Sequence, residues 1–331
     1  MARLRLYGSQ PTVPLGRRSR AILLRHQHAA ARLPLIDLAR GAALMAMFAY
    51  HLVWDLAYFG WIEAAAPLDP RFKLFGHAIA ASFLFLAGFS IVLAQQRGAS
   101  PGRLLRHVAV IALGAAAITA VTAIVIPREL IFFGILHCIA ASSFLALALR
   151  RAPPWVVAIA ALAAFAAPLA AVPVFNAPQL VWLGLETIEP RSNDYRPLLP
   201  WLGFVLTGLV AGRLFASRLK TAASPTLLTP IAFGGRHSLA AYLIHQPVFF
   251  AVFMLLAAFA PPQISEAAFN GECRSACAGA GGEPAVCQAT CDCVLRSLKR
   301  ADLLRAGALD PQAVSRVQAA SRACQADPAI E

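Results

Sequence analysis

IDLARGAALMAMFAYHLVWD, Ile36 to Asp55, is about one bilayer crossing long, yet it carries Asp37, Arg40, His51 and Asp55. Steps of three and four residues stay on one face of an α-helix. Asp37, Arg40, Leu44, Phe48, His51 and Asp55 are separated by such steps, so the four ionisable groups form one stripe with Leu44 and Phe48 filling its middle. Arg40 and His51 stand about 16 Å apart along such a helix. Each charge placed in hydrocarbon costs roughly 2.5–3.5 kcal/mol, so the stripe must face the interior of a bundle or a wet cavity. A helix of this kind is a membrane span whose polar face has work to do inside the protein.

The rest of the chain agrees. Of 331 residues, 59% are hydrophobic and 14% charged, with mean hydropathy +0.65; soluble domains sit near roughly 45–50% apolar and about 25% charged. Apolar runs near 35–54, 75–95, 104–126, 131–149, 154–174, 197–215 and 238–260 predict an all-α, polytopic membrane bundle of about seven helices. Residues 1–34 form a basic arm with seven Arg and no acid, and no cleavable signal pattern follows. With that arm in the cytoplasm, the inner segments hold sixteen Lys and Arg against five in the outer loops, and every acid except Asp37 falls outside or at the outer edge. This is the positive-inside bias. The net charge of +13 is therefore read as topology and contact with lipid headgroups, not as a nucleic-acid footprint. The expected organisation is the arm at 1–34, the membrane domain at 35–260 and a tail at 261–331.

Seven crossings put the tail outside. It contains Cys273, Cys277, Cys287, Cys291, Cys293 and Cys324, whereas Cys138 sits in the fourth span. Six thiols in a small polar extracytoplasmic segment read as a disulfide framework. The repeated C-x3-C spacing places two thiols on one helical face, so two short helices stapled side by side are expected. Fifteen connectivities are open, with zinc the alternative in a tail that lacks His.

His51 and Asp55 are the leading catalytic candidates. The carboxylate can accept from one imidazole nitrogen and leave the other a better base; an ion pair that merely braces the bundle is the competing reading. Arg40, at cytoplasmic depth, suits a phosphate-bearing co-substrate. In the last span Ser238, Tyr242 and His245 share a face before Pro247, where His245 projects toward His51 or serves as interhelical glue. His77 and His137 read as structural first and as site residues second. Trp54, Trp61, Trp182 and Trp201 fit an outer aromatic belt. The sequence offers no metal-ligand set in the bundle, no phosphate-cradling glycine loop and no nucleophile elbow.

These residues carry a resemblance. IDLARGAALMAMFAYHLVWDLAYFG, ASFLFLAGFSIVLA, GILHCIA, LPWLGFVLTGLVAGRL and GRHSLAAYLIHQPVFF are similar, in order and spacing, to bacterial members of the heparan-alpha-glucosaminide N-acetyltransferase catalytic-domain family, over about 34–260. Arg40-x10-His51 also resembles the signature of the wider acyltransferase-3 group, whose His is taken as catalytic. The resemblance implies an integral-membrane acyltransferase of the bacterial inner membrane, with the tail in the periplasm. Cytoplasmic acyl-CoA, the acetyl form foremost, would be co-substrate, and a hydroxyl or amine of an envelope sugar or glycolipid the acceptor. The long lumenal domains of vertebrate members are absent, so sugar specificity does not carry over. The alternative is a transporter or flippase using the same His, Asp and Arg as an intramembrane pathway.

Overall fold

The computed structural model describes residues 34–63, 65–219, 228–260, 266–301 and 311–326. The basic arm, except for Pro34, lies outside them. Every regular element among the described residues is helical. Among the described residues, five helices are long and apolar enough to cross a membrane: α1 (Pro34–Tyr58), α2 (Pro70–Gln96), α3 (Pro101–Val125), α6 (Leu198–Phe215) and α8 (Ser238–Phe259). The expected fourth and fifth spans are shorter, α4 (Ile135–Ala148) and α5 (Pro154–Ala166), each prolonged by a 3-10 turn. A short α7 (Thr229–Arg236) precedes α8, and α9 (Glu266–Gly279), α10 (Pro284–Arg300) and α11 (Pro311–Ala326) form the tail.

Local chemistry sets the boundaries. Asp69 caps α2, accepting from the amides of Arg71 at 2.7 Å and Phe72 at 3.4 Å, with Pro70 at the first helical position. Ser100 and Pro101 repeat the device at α3. The fourth span starts late because Gly134 stands outside it, and a carboxylate distant in sequence supplies the cap: Asp194 Oδ2 accepts from the amide of Ile135 at 2.7 Å. At the other end of α4, Arg213 on α6 donates to the carbonyls of Leu149 and Ala152 and closes the turn into α5. Further along, Phe165 of α5 meets Gly203 of α6. Helices α4 and α5 thus each run alongside most of α6, despite their length.

Glycine governs the tightest approaches. A Cβ on Gly88 of α2 would lie 1.9 Å from the carbonyl oxygen of Val205, and one on Gly208 of α6 would lie 2.0 Å from that of Phe85, so these two helices touch backbone to backbone. Gly41 of α1 and Gly235 of α7 approach in the same way, against Ile231 and Asp37. Leu84, Cys138, Ala146, Val157, Val205 and Leu209 are sealed inside. Large apolar side chains such as Leu113, Ile124, Leu162 and Phe259 instead cover the outer surface. Such a surface is untenable in water and natural in lipid.

The tail folds as expected. Cys273–Cys291 and Cys277–Cys287 are the two rungs between antiparallel α9 and α10, and Cys293–Cys324 fastens α11. All six thiols are consumed, which sets the zinc alternative aside. Gly281 turns with φ +86°, and a Cβ on Gly282 would press on the sulfurs of Cys277 and Cys287. The connecting loop therefore needs both glycines.

Candidate active site

A cavity of about 750 Å³ opens among α1, α2, α3, α4, α7 and α8. Arg40, Arg97, Arg103 and Arg236 line it together with His107 and His237. Asp37 is the one acid in this lining, 3.9 Å from Arg40. Arg40 is steadied by a hydrogen bond to Ser90, whose hydroxyl donates in turn to the Leu86 carbonyl. From Arg97 to Phe83, the lining of α2 covers about 21 Å of helix. The basic groups belong to the helix ends at one side. The far part is apolar, built from Phe83, Ile111, Ile135 and Leu136, with Tyr242 beside them. Ser238 and Tyr242 of the sequence candidates line this cavity, as does Arg40.

His51, Asp55 and His245 lie beyond it. Leu44, Met47 and Ile79 pack with Phe48, Phe83 and Tyr242, so an apolar layer stands between the arginine cavity and the histidines. Tyr242 belongs to both compartments: it lines the cavity, and its ring lies 5.5 Å from that of His245. His245 in turn faces His51 at 4.9 Å between ring centroids and stacks on Phe48 at 5.4 Å.

The expected hydrogen bond between His51 and Asp55 is not found among the described residues. Helix α8 runs parallel to α1, and its Gln246 reaches Asp55 first, donating from Nε2 to Oδ1 at 2.8 Å. A carboxylate accepts only, so this bond fixes the amide's orientation. His245 is fixed in the same way. Its Nδ1 lies 2.6 Å from the carbonyl of Tyr242, which also accepts only, so Nδ1 carries the proton and Nε2 keeps a lone pair. Asp55 is 3% exposed and His245 7%. Asp55 Oδ2, Gln246 Oε1 and His245 Nε2 are buried without a protein partner. Each such atom costs about 1–3 kcal/mol unless something fills its place, and all three are hydrogen-bond acceptors.

His137 and His77 stand apart from this group. Thr119 donates to the Ile131 carbonyl at 2.7 Å, so its oxygen accepts from His137 Nε2 at 3.1 Å, and His137 Nδ1 accepts the Gly134 amide at 3.2 Å. His137 therefore pins the loop before α4 to α3. His77 meets the edge of Trp201 at 5.5 Å. Trp201, expected in an aromatic belt, is buried under Arg196. In the loop before α6, the Tyr195 hydroxyl donates to the Val181 carbonyl at 2.5 Å. Burial, reinforced by Glu186, holds this phenol above its usual range, so it stays protonated and structural. Gln246 and His107 were missed in the sequence. Gln246 has one cue, an amide side chain beside His245 within a span, and that cue names no partner.

With this geometry in hand, the chain matches the family "Heparan-alpha-glucosaminide N-acetyltransferase, catalytic" over residues 32–247, well over half its length. Neither a curated relative nor a solved structure matches it.

Proposed function

The chain belongs to the heparan-alpha-glucosaminide N-acetyltransferase catalytic family, and from that membership we propose that it transfers an acetyl group from acetyl-CoA, through His51, to a nitrogen or oxygen of an envelope sugar or glycolipid. The observation that carries this reading is the arginine-lined cavity whose apolar end abuts Tyr242, the residue in contact with the histidine pair. Arg40, Arg97, Arg103 and Arg236 hold the nucleotide phosphates. The pantetheine arm lies along the apolar stretch, and the thioester passes Tyr242 to reach His51.

There the neutral imidazole attacks the thioester carbon through its lone pair. The carbon–sulfur bond breaks, and the ring's N–H proton leaves with the sulfur, giving acetyl-His51 and free CoA thiol. The apolar layer keeps water from the acetyl-imidazole before the acceptor arrives. Membership of a transferase family favours this transfer over a transport path.

Sidedness follows the same reading. The positive-inside bias places the arginine mouth in the cytoplasm, where acyl-CoA is made, and the disulfides suit a tail in an oxidising compartment. Seven crossings satisfy both, with α4 and α5 counted because they run alongside α6; the membrane is the bacterial inner membrane. The test is turnover of labelled acetyl-CoA by the purified protein. Wild type consumes it with acceptor present, and His51→Ala, still monodisperse, loses at least a hundredfold. Normal turnover in that variant removes the proposed role.

A further inference from the structure

We propose that Asp55, Gln246 and His245 form the seat of the acetyl acceptor, and that His245 Nε2 is the base that takes the acceptor's proton. This rests on His51 carrying the acetyl group. Three independent features of the site converge on it. First, the three atoms here that are buried without a partner are of one kind: Asp55 Oδ2, Gln246 Oε1 and His245 Nε2 all accept hydrogen bonds. They match a ligand with several N–H and O–H donors on neighbouring atoms, such as the amine and adjacent hydroxyl of an amino sugar. A carbonyl-rich or anionic ligand would leave them unsatisfied and meet the Asp55 carboxylate besides.

Second, both side chains of α8 are held in orientation by bonds inside the protein. Gln246 Nε2 gives one N–H to Asp55 Oδ1, and His245 gives its Nδ1–H to the Tyr242 carbonyl. The second bond leaves His245 with its lone pair at the one unpartnered ring nitrogen, as a base requires.

Third, the placement suits the chemistry. His245 packs on His51, and Asp55 lies one turn along α1 from His51, held by the neighbour of His245. The acceptor nitrogen or oxygen forms a bond to the acetyl carbon as its proton passes to His245 Nε2. The bond from that carbon to the His51 nitrogen breaks, and His245 returns the proton to the departing imidazole. Both rings end neutral and the acceptor leaves acetylated. Asp55 and Gln246 act as positioning residues through the remaining donors.

The experiment separates the two half-reactions in full-length protein. Exchange of labelled CoA into acetyl-CoA, with no acceptor, reports loading of His51 alone. Acetyl transfer to glucosamine or to N-acetylglucosamine reports the second half, and stability of the product to alkali tells amide from ester. Wild type is expected to exchange and to transfer to glucosamine. His245→Gln keeps exchange within severalfold and loses about 100-fold in transfer, the lower end of general-base contributions. Gln246→Leu, which preserves shape, raises the KM for glucosamine about tenfold with exchange intact. If both variants lose exchange and transfer in parallel, or if wild type exchanges but acetylates neither sugar, the seat is wrong. If wild type does not exchange at all, the failure lies with His51 as carrier.

Discussion

His51 and Asp55 lie four residues apart on one helical face, and spacing alone makes them a pair; the fold gives each a partner from α8 instead. Periodicity reports which residues share a face, but not which group of another helix reaches them first. The stripe, its inward direction and the approach of His245 were legible in the sequence, whereas Gln246 on Asp55 was not, because spacing within α1 names the partner on its own helix and says nothing of which α8 side chain meets the carboxylate. His137 shows the reverse case, a polar residue within a span whose nitrogens are both committed to loop and helix anchoring. At the cavity, reversing charge at Arg103 is expected to raise the KM for acetyl-CoA at least tenfold, about 1.4 kcal/mol, with kcat changed far less. The loss should shrink as salt screens the phosphates. An unchanged KM would take Arg103 out of the donor site.

Among the elements, α4 and α7 owe their positions to contacts that hydropathy does not register. Helix α4 begins where Asp194 caps it, so Asp194→Ala should lower stability by about 1–2 kcal/mol while Asp194→Asn retains most of it. A melting curve in detergent reads both. Helix α7 lies against α1 through Gly235 and Gly41, where an added methyl meets backbone that cannot move aside. Gly235→Ala should therefore cost about 1–3 kcal/mol and weaken acetyl-CoA binding as well, because α7 carries Arg236 into the cavity. A variant as stable and as tight-binding as wild type would show that the close approach does not matter. The seven hydrophobic runs were plain from composition, yet two came out short. Gly134 and the Asp194 cap set the start of one, and Pro168 with its 3-10 turn ends the other.

On the scale of the whole molecule, an arginine-rich mouth, an apolar layer and a histidine pair lie in sequence, with a disulfide-stapled unit following the last span. Charge bias and thiol chemistry, read independently, lead to the same proposed sidedness. In cells, a membrane-impermeant thiol reagent should label the tail from outside after mild reduction, while a cysteine placed at Arg151 stays protected; labelling of both or neither would refute the topology. The proposed transfer requires His51 to receive the acetyl group at the junction of the two compartments. The direct measurement is to mix purified protein with labelled acetyl-CoA, quench before acceptor is added, and map the label by peptide. It should fall on the peptide containing His51 and vanish in His51→Ala. Label on another residue, or undiminished acetyl transfer by His51→Ala, would contradict the account.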